Sequence, residues 1–173
     1  MRSEGIRNFL LILIAILGVP LVLTNVGVAN EKAPDFSLPS IKGSLYKLSN
    51  LQGKVVIINF WATWCVPCLE EMPALDILNK RYRDKGLVIL GISIDRKKET
   101  VEEFLSKNPV SYPILLDQKG EVFVNKYTVK GLPATYLIDR DGHIVEQYIG
   151  KKDFTSREFT DLIKRLLKGG YEG

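Results

Sequence analysis

Two cysteines are the residues of this sequence best suited to chemistry. Cys65 and Cys68 stand three positions apart in the stretch WATWCVPC, and the 173-residue chain has no other cysteine. Thiols at this spacing can bind a metal, close a structural disulfide or form a redox pair. A chain of this length buries enough core to fold without a structural disulfide, so a metal site and a redox pair remain as possibilities.

A metal site needs more ligands than the sequence supplies. A structural zinc site takes four, whereas the chain adds a single histidine, His143, which follows an Asp-Gly turn and is better explained as an exposed hairpin residue. A peroxidatic cysteine is also disfavoured, because Ile58 and Ala62 stand where peroxiredoxins carry proline and threonine. We therefore expect thiol-disulfide exchange, with no metal and no cofactor.

The elements around the cysteines form a β-α-β unit. Residues 55–60 and 87–94 are nearly continuous apolar runs rich in β-branched side chains, which is typical of strands covered on both faces. Apolar residues at intervals of three and four between the runs predict a helix that Gly86 ends; they are Leu69, Met72, Leu75, Leu78 and Tyr82. Such a unit is right-handed and its strands are parallel.

This unit places Cys65 at the start of the helix. Unpaired backbone N–H groups and the positive end of the helix dipole favour a thiolate there, which makes Cys65 the nucleophile. Cys68 lies one turn further along, close enough to close a disulfide with Cys65 and release a bound substrate. Pro67 suits the first helical turn, where its missing N–H costs nothing.

The second half of the chain predicts an antiparallel end to the sheet. Residues 112–116 form a short strand, and Asp141-Gly142 is a turn pair between strands at 134–138 and 144–149. A last amphipathic helix then ends near Gly169. The sheet is thus mixed, parallel first and antiparallel afterwards.

Three weaker local patterns complete the prediction. Residues 30–34 are interpreted as a polar linker, and residues 36–38 and 45–48 as a small hairpin. Thr100 and Glu103 have capping-box spacing, which predicts a helix beginning at Thr100.

The first thirty residues form a targeting segment. Residues 9–28 are almost entirely apolar and number 20, the span of a bilayer core, and Arg2 and Arg7 precede them. The arginines favour a cytoplasmic N-terminus, which leaves residues 31–173 as a domain outside the cytoplasm. The alternative is a signal peptide cleaved near Ala29.

The charge pattern excludes one class of partner. The net charge of +4 arises from 24 basic and 20 acidic residues scattered along the chain. Because a nucleic-acid-binding protein needs a clustered basic stripe, we expect no nucleic-acid partner.

Two motifs carry a resemblance to a known family. The stretch FWATWCVPC, followed by Glu71 and Pro73, and the later stretch GLPATYLIDRDG resemble the TlpA/ResA/CcmG-like membrane-anchored thiol-disulfide oxidoreductases of the thioredoxin superfamily, over about residues 33–168. The resemblance implies an α/β thioredoxin-like fold, a mixed central sheet flanked by helices. The expected fold also includes an N-terminal hairpin and a central βα insertion around residues 95–120. In this chain one hydrophobic helix is expected to precede it.

The resemblance also implies roles for individual residues. Cys65 attacks the substrate and Cys68 resolves the mixed disulfide, while Trp64 covers the pair. Pro133 is expected to be cis and to stand beside the cysteines, so that the backbone of Leu132 pairs with an extended substrate segment.

An acid near the cysteines is the last implied element. Thioredoxins carry a buried aspartate six residues before the first cysteine, where this chain has Asn59, which cannot exchange a proton. Glu71 takes over that role by resemblance, whereas its neighbour Glu70 is expected to be a solvated surface carboxylate.

Together these features predict a reductant outside the cytoplasm. Strong oxidants stabilise the thiolate, often with a cation between the cysteines, but here that position is occupied by Val66-Pro67. Glu71 adds a negative charge, which disfavours a nearby thiolate. The resemblance implies substrates such as apocytochrome c or another exported protein, and a membrane electron donor of the CcdA/DsbD type. A copper-handling or redox-sensing thiol module and a general disulfide oxidase remain alternatives.

Overall fold

The strands and helices follow the apolar patterning of the chain. In the computed structural model, which describes residues 31–169, the strands are β1 (Glu31–Lys32), β2 (Ser37–Pro39), β3 (Leu45–Lys47), β4 (Val55–Trp61), β5 (Leu87–Ser93), β6 (Ile114–Leu116), β7 (Ala134–Ile138) and β8 (His143–Ile149). The helices are α1 (Val66–Tyr82), α2 (Lys98–Lys107) and α3 (Arg157–Leu167). Shorter 3₁₀ turns cover Leu48–Leu51 and Arg83–Lys85, and a π-helical segment covers Glu121–Lys126.

Six strands form the central sheet in the order β1-β8-β7-β4-β5-β6. β4, β5 and β6 run parallel, while β7 pairs antiparallel with β4 and with β8. The predicted mixed sheet is confirmed, as is the β-α-β unit in which α1 joins β4 to β5. β2 and β3 pair separately as the predicted hairpin, and the βα insertion consists of α2 and β6.

Both faces of β4 are buried, because helices cover one face and the β2-β3 hairpin and the π-helical segment cover the other. Side chains alternate along a strand, so Val55, Ile57 and Trp61 join the core beneath the helices. Val56, Ile58 and Phe60 join a second core, formed with the hairpin and the π-helical segment. Asn59 lies on the same face of β4 as Ile57 and Trp61, so its side chain points toward α1.

The predicted linker at residues 30–34 is wrong in part. β1 pairs with β8 in the register Glu31↔Ile144 and Lys32↔His143. Strand pairing uses backbone groups, so an exposed edge strand needs no apolar side chains and leaves no hydrophobic pattern to read.

The capping-box prediction is also wrong. α2 begins at Lys98 with Lys97 as its N-cap, and Thr100 lies inside the first turn. The earlier start allows Lys98 to pair with Glu102 one turn later, at 3.1 Å.

Gly86 and Gly169 end their helices as predicted. α1 ends at Tyr82, and the 3₁₀ turn that follows stops at Gly86, whose φ of 101° favours glycine. Gly169 follows α3 with a φ of 84°.

The predicted membrane segment at residues 9–28 and the boundary at residue 30 lie outside the described residues. Within residues 31–169, no helix combines the length and apolarity required to span a bilayer.

Candidate active site

Cys65 and Cys68 are joined by a disulfide at the amino end of α1. The two sulfurs are bonded, with the Cα atoms 5.3 Å apart. Cys65 is the N-cap residue of α1, and its carbonyl accepts hydrogen bonds from the backbone N–H groups of Cys68 and Leu69. Pro67 lies in the first turn, as its sequence position predicts. The strand β4 and the helix α1 together fix the position of both sulfurs.

The two cysteines differ in exposure. Cys65 retains 6% of its surface, whereas Cys68 is completely buried. A substrate sulfur can therefore approach the disulfide only from the side of Cys65. This geometry agrees with the predicted order of attack, although the individual roles stay predictions.

A shallow groove beside Cys65 brings together the residues predicted to contact substrate. The groove has a volume of about 640 Å³ and includes Trp64, Cys65, Val66, Lys130 and Leu132 in its lining; we call it the cysteine groove. Trp64 and Val66 are 68% and 64% exposed. An apolar surface of this size beside a disulfide is suited to contact another polypeptide.

The peptide bond between Leu132 and Pro133 is cis, as the resemblance implied. Pro133 directly precedes β7, whose first residue, Ala134, pairs with Phe60 of β4. Antiparallel pairing therefore brings the start of β7 to the end of β4 from which the cysteine loop departs. Among the described residues, the backbone N–H and carbonyl of Leu132 form no hydrogen bond, so both are free to pair with an added strand.

Glu71 lies buried on α1, three residues after Cys68. It is only 1% exposed. The amide nitrogen Nδ2 of Asn59 donates to Glu71 Oε1 at 2.7 Å and also to Thr135 Oγ1 at 2.9 Å. The backbone N–H of Lys152 donates to Glu71 Oε2 at 3.3 Å. Asn59 and Thr135 are register partners in β4 and β7, so the sheet itself places the group that holds the carboxyl.

Burial changes the acidity of Glu71. Loss of solvent raises its pKa from 4.5 to about 7, against the opposing effects of the Asn59 and Lys152 hydrogen bonds and the charge of Lys151. The carboxyl can therefore exchange a proton near neutral pH. Glu70 is exposed and paired with Lys151 on the surface, as predicted.

Asp95 holds the loop in front of Cys65, and the sequence analysis missed it. Its carboxylate accepts hydrogen bonds from the backbone N–H and hydroxyl of Thr63, at 3.0 and 2.7 Å, and from the hydroxyl of Ser93 at 2.8 Å. The sequence contained a signal for this role, because Asp95 follows the predicted strand β5. The carboxyl ends of adjacent parallel strands lie at the same edge of a sheet. An acid at the end of β5 therefore faces the loop after β4.

His143 is less exposed than predicted. It begins β8, its side chain is 29% exposed, and its Nδ1 lies 3.8 Å from Asp139 Oδ1. Pairing of β8 with β1 partly covers it. Within residues 31–169, no three His, Cys, Asp or Glu side chains are grouped so that they could hold a metal ion.

Comparison with known proteins identifies the family. The AhpC/TSA family profile matches residues 29–147. Thiol-disulfide oxidoreductase ResA of Geobacillus thermodenitrificans is 38% identical over 165 residues, covering 92% of this chain and 90% of the relative. The ResA protein of Bacillus thuringiensis is 35% identical over 136 residues, covering 79% and 77% of the two chains.

A solved structure agrees with these relatives. The thiol:disulfide interchange protein of the thioredoxin family from Chlorobium tepidum superposes with a TM-score of 0.70 at 26% identity, covering 80% of this chain and 97% of that one. Ile58 and Ala62 still stand where a peroxidatic site would carry proline and threonine. The chain therefore belongs to the AhpC/TSA family, has a thioredoxin-like fold, and is a thiol-disulfide oxidoreductase.

Proposed function

We propose that the protein reduces disulfides of apocytochrome c or another exported protein outside the cytoplasm. Residues 9–28 would hold it to the cell membrane, and a membrane electron donor of the CcdA/DsbD type would return it to the dithiol state. The observation that carries the proposal is the Cys65–Cys68 disulfide, which reaches the surface only at Cys65 and is followed on α1 by the buried Glu71.

The exchange proceeds in two steps. In the reduced protein, the Cys65 thiolate attacks one sulfur of the substrate disulfide, which forms a mixed disulfide and releases the other substrate sulfur as a thiolate. The Cys68 thiolate then attacks the Cys65 sulfur and releases the second substrate thiolate. The substrate gains two electrons and, after protonation, two protons, while the protein is left in the disulfide state described here.

Glu71 supplies the proton acceptor that the second step requires. Cys68 is fully buried, so its thiol cannot lose a proton directly to bulk water. Glu71 lies three residues further along α1 and is itself buried, with a pKa of about 7. We infer that its carboxylate accepts the Cys68 proton in this step.

The cysteine groove accounts for substrate binding. An extended segment would pair with the free backbone groups of Leu132 and present its disulfide to Cys65, with Trp64 against its side chains. Pro133 lies between Leu132 and β7 and completes the proposed substrate-binding edge.

We infer the reducing direction from the charges near the cysteines in the sequence. Val66 and Pro67 place no cation between the cysteines. The ionised form of Glu71 disfavours a second negative charge on nearby sulfur, which destabilises the thiolate and favours donation of electrons.

Trapping of mixed disulfides tests the proposal. Cys68→Ser leaves the attacking thiol without its partner, so this variant is expected to accumulate mixed disulfides with exported proteins through Cys65. Cys65→Ser is the matched control, because its remaining thiol is buried. Equal trapping by the two variants would overturn the assignment, and tight Cu(I) binding without disulfide reduction would favour a copper-handling module.

A further inference from the structure

A second groove adjoins the cysteine groove and extends the surface around the disulfide. It has a volume of about 620 Å³, and Trp64, Ile94 and Phe123 line both grooves; we call it the side groove. Val124, which lines the side groove, is 55% exposed. Because they share Trp64, Ile94 and Phe123, the two grooves form one surface with apolar side chains at its centre.

Four cations border this surface. Lys130 lines the cysteine groove, and Arg96, Lys97 and Lys119 line the side groove. All four are exposed. In the part of the chain that the structure describes, none of them forms an ion pair, whereas several other lysines do: Lys47, Lys80, Lys98, Lys107, Lys151 and Lys164.

No free carboxylate balances the four cations within the grooves. The one acid that lines either groove is Asp95. Asp95 is only 5% exposed, and Thr63 and Ser93 donate hydrogen bonds to its two oxygens. The surface therefore presents apolar side chains within a border of unpaired positive charge.

We propose that this surface selects disulfide substrates whose cysteines are flanked by acidic residues. The inference rests on the proposed function, since it names the substrate class of the same site. Cations around an apolar groove attract a negatively charged segment and repel a positively charged one, mainly through the association rate. Arg96, Lys97, Lys119 and Lys130 are thus specificity-determining residues.

Peptides that differ only in flanking charge test this inference. Full-length protein in detergent is reduced and mixed with three peptides of equal length, each with one disulfide and with aspartate, serine or lysine flanks. At low salt we expect the acidic peptide to be reduced about 10-fold faster than the basic one. The ratio is expected to approach one at about 0.5 M salt, where exposed charges are screened.

Charge reversal identifies the residues responsible. Lys97→Glu with Lys119→Glu is expected to abolish or invert the acidic preference, and the corresponding glutamine pair to give an intermediate ratio. Lys42→Glu with Lys168→Glu is the matched control, because both lysines are exposed and line neither groove. The control is expected to keep the wild-type ratio.

The failures of this inference and of the proposed function are distinguishable. Reduction of none of the peptides would contradict the proposed function. Equal reduction of all three, or equal loss of preference in the control pair, would overturn only the charge selection. The Lys97/Lys119 variant could also keep the wild-type peptide ratio but lose binding to phosphatidylserine-containing vesicles. That result would assign the cations to a membrane surface and overturn the charge selection.

Discussion

Glu70 and Glu71 are adjacent residues of the same type with opposite environments. Glu70 pairs with Lys151 at the surface, whereas Glu71 is 1% exposed and bound by Asn59. The family resemblance distinguished the two in the sequence. The pKa near 7 was not predictable in that way, because it depends on burial beneath the loop that carries Lys152.

Glu71→Gln is expected to lower the apparent pKa of the thiols, raise the reduction potential and slow disulfide reduction by at least about 10-fold. The substitution keeps the shape of the side chain while removing its charge and its ability to exchange a proton. Since interacting acids share their titration steps, the titration of the reduced protein is assigned to the thiols and the carboxyl as one group. Glu70→Gln is the control, and unchanged titration and activity in Glu71→Gln would remove Glu71 from the mechanism.

Glu71 also makes stability depend on pH. Its pKa is raised from 4.5 in the unfolded chain to about 7 in the folded protein, so the folded state holds the proton more tightly. The resulting stabilisation is complete below the unfolded pKa and is lost as the pH rises through about 7. Between about pH 5 and pH 8 the oxidised protein should lose up to roughly 3 kcal/mol from this group. Urea unfolding at both values measures the loss, which Glu71→Gln should largely remove; an equal loss in that variant would contradict the assignment.

Strands and helices with regular apolar patterning were predicted correctly. β4 and β5 were predicted because nearly every residue is buried, and α1 because its buried face recurs with helical spacing. β1 and the π-helical segment at Glu121–Lys126 were missed, since neither has a regular apolar period. Asp95 was missed because its partner Thr63 belongs to a different element.

The loop between β4 and α1 is expected to depend on Asp95. Asp95→Ala removes the acceptor for Thr63 and Ser93 and leaves the partly buried backbone N–H of Thr63 without that acceptor, which should destabilise the protein by about 1–3 kcal/mol. Because the loop leads directly to Cys65, disulfide reduction should slow as well. Denaturant unfolding and reductase assays measure both effects, and Asp153→Ala is the control, since Asp153 is exposed and bound only within its own turn. Equal effects of the two substitutions would contradict this positioning role.

The proposed membrane location gives a separate prediction. If residues 9–28 remain as a membrane span, the full-length protein should resist carbonate extraction and keep its N-terminal sequence. Cleavage near Ala29 would instead give a mature chain that begins near Asn30 and is released by carbonate. N-terminal sequencing of protein from native membranes distinguishes the two, and a cytoplasmic location of the cysteines would contradict both.

The reduction potential of the Cys65–Cys68 pair tests most directly whether the molecule is a reductant. We predict a value near that of thioredoxin, about −270 mV, because the buried Glu71 disfavours the thiolate and no cation lies between the cysteines. Equilibration of the full-length protein with glutathione or dithiothreitol redox buffers gives the value. A potential near −120 mV, typical of a strong disulfide oxidase, would contradict the proposed direction of electron flow.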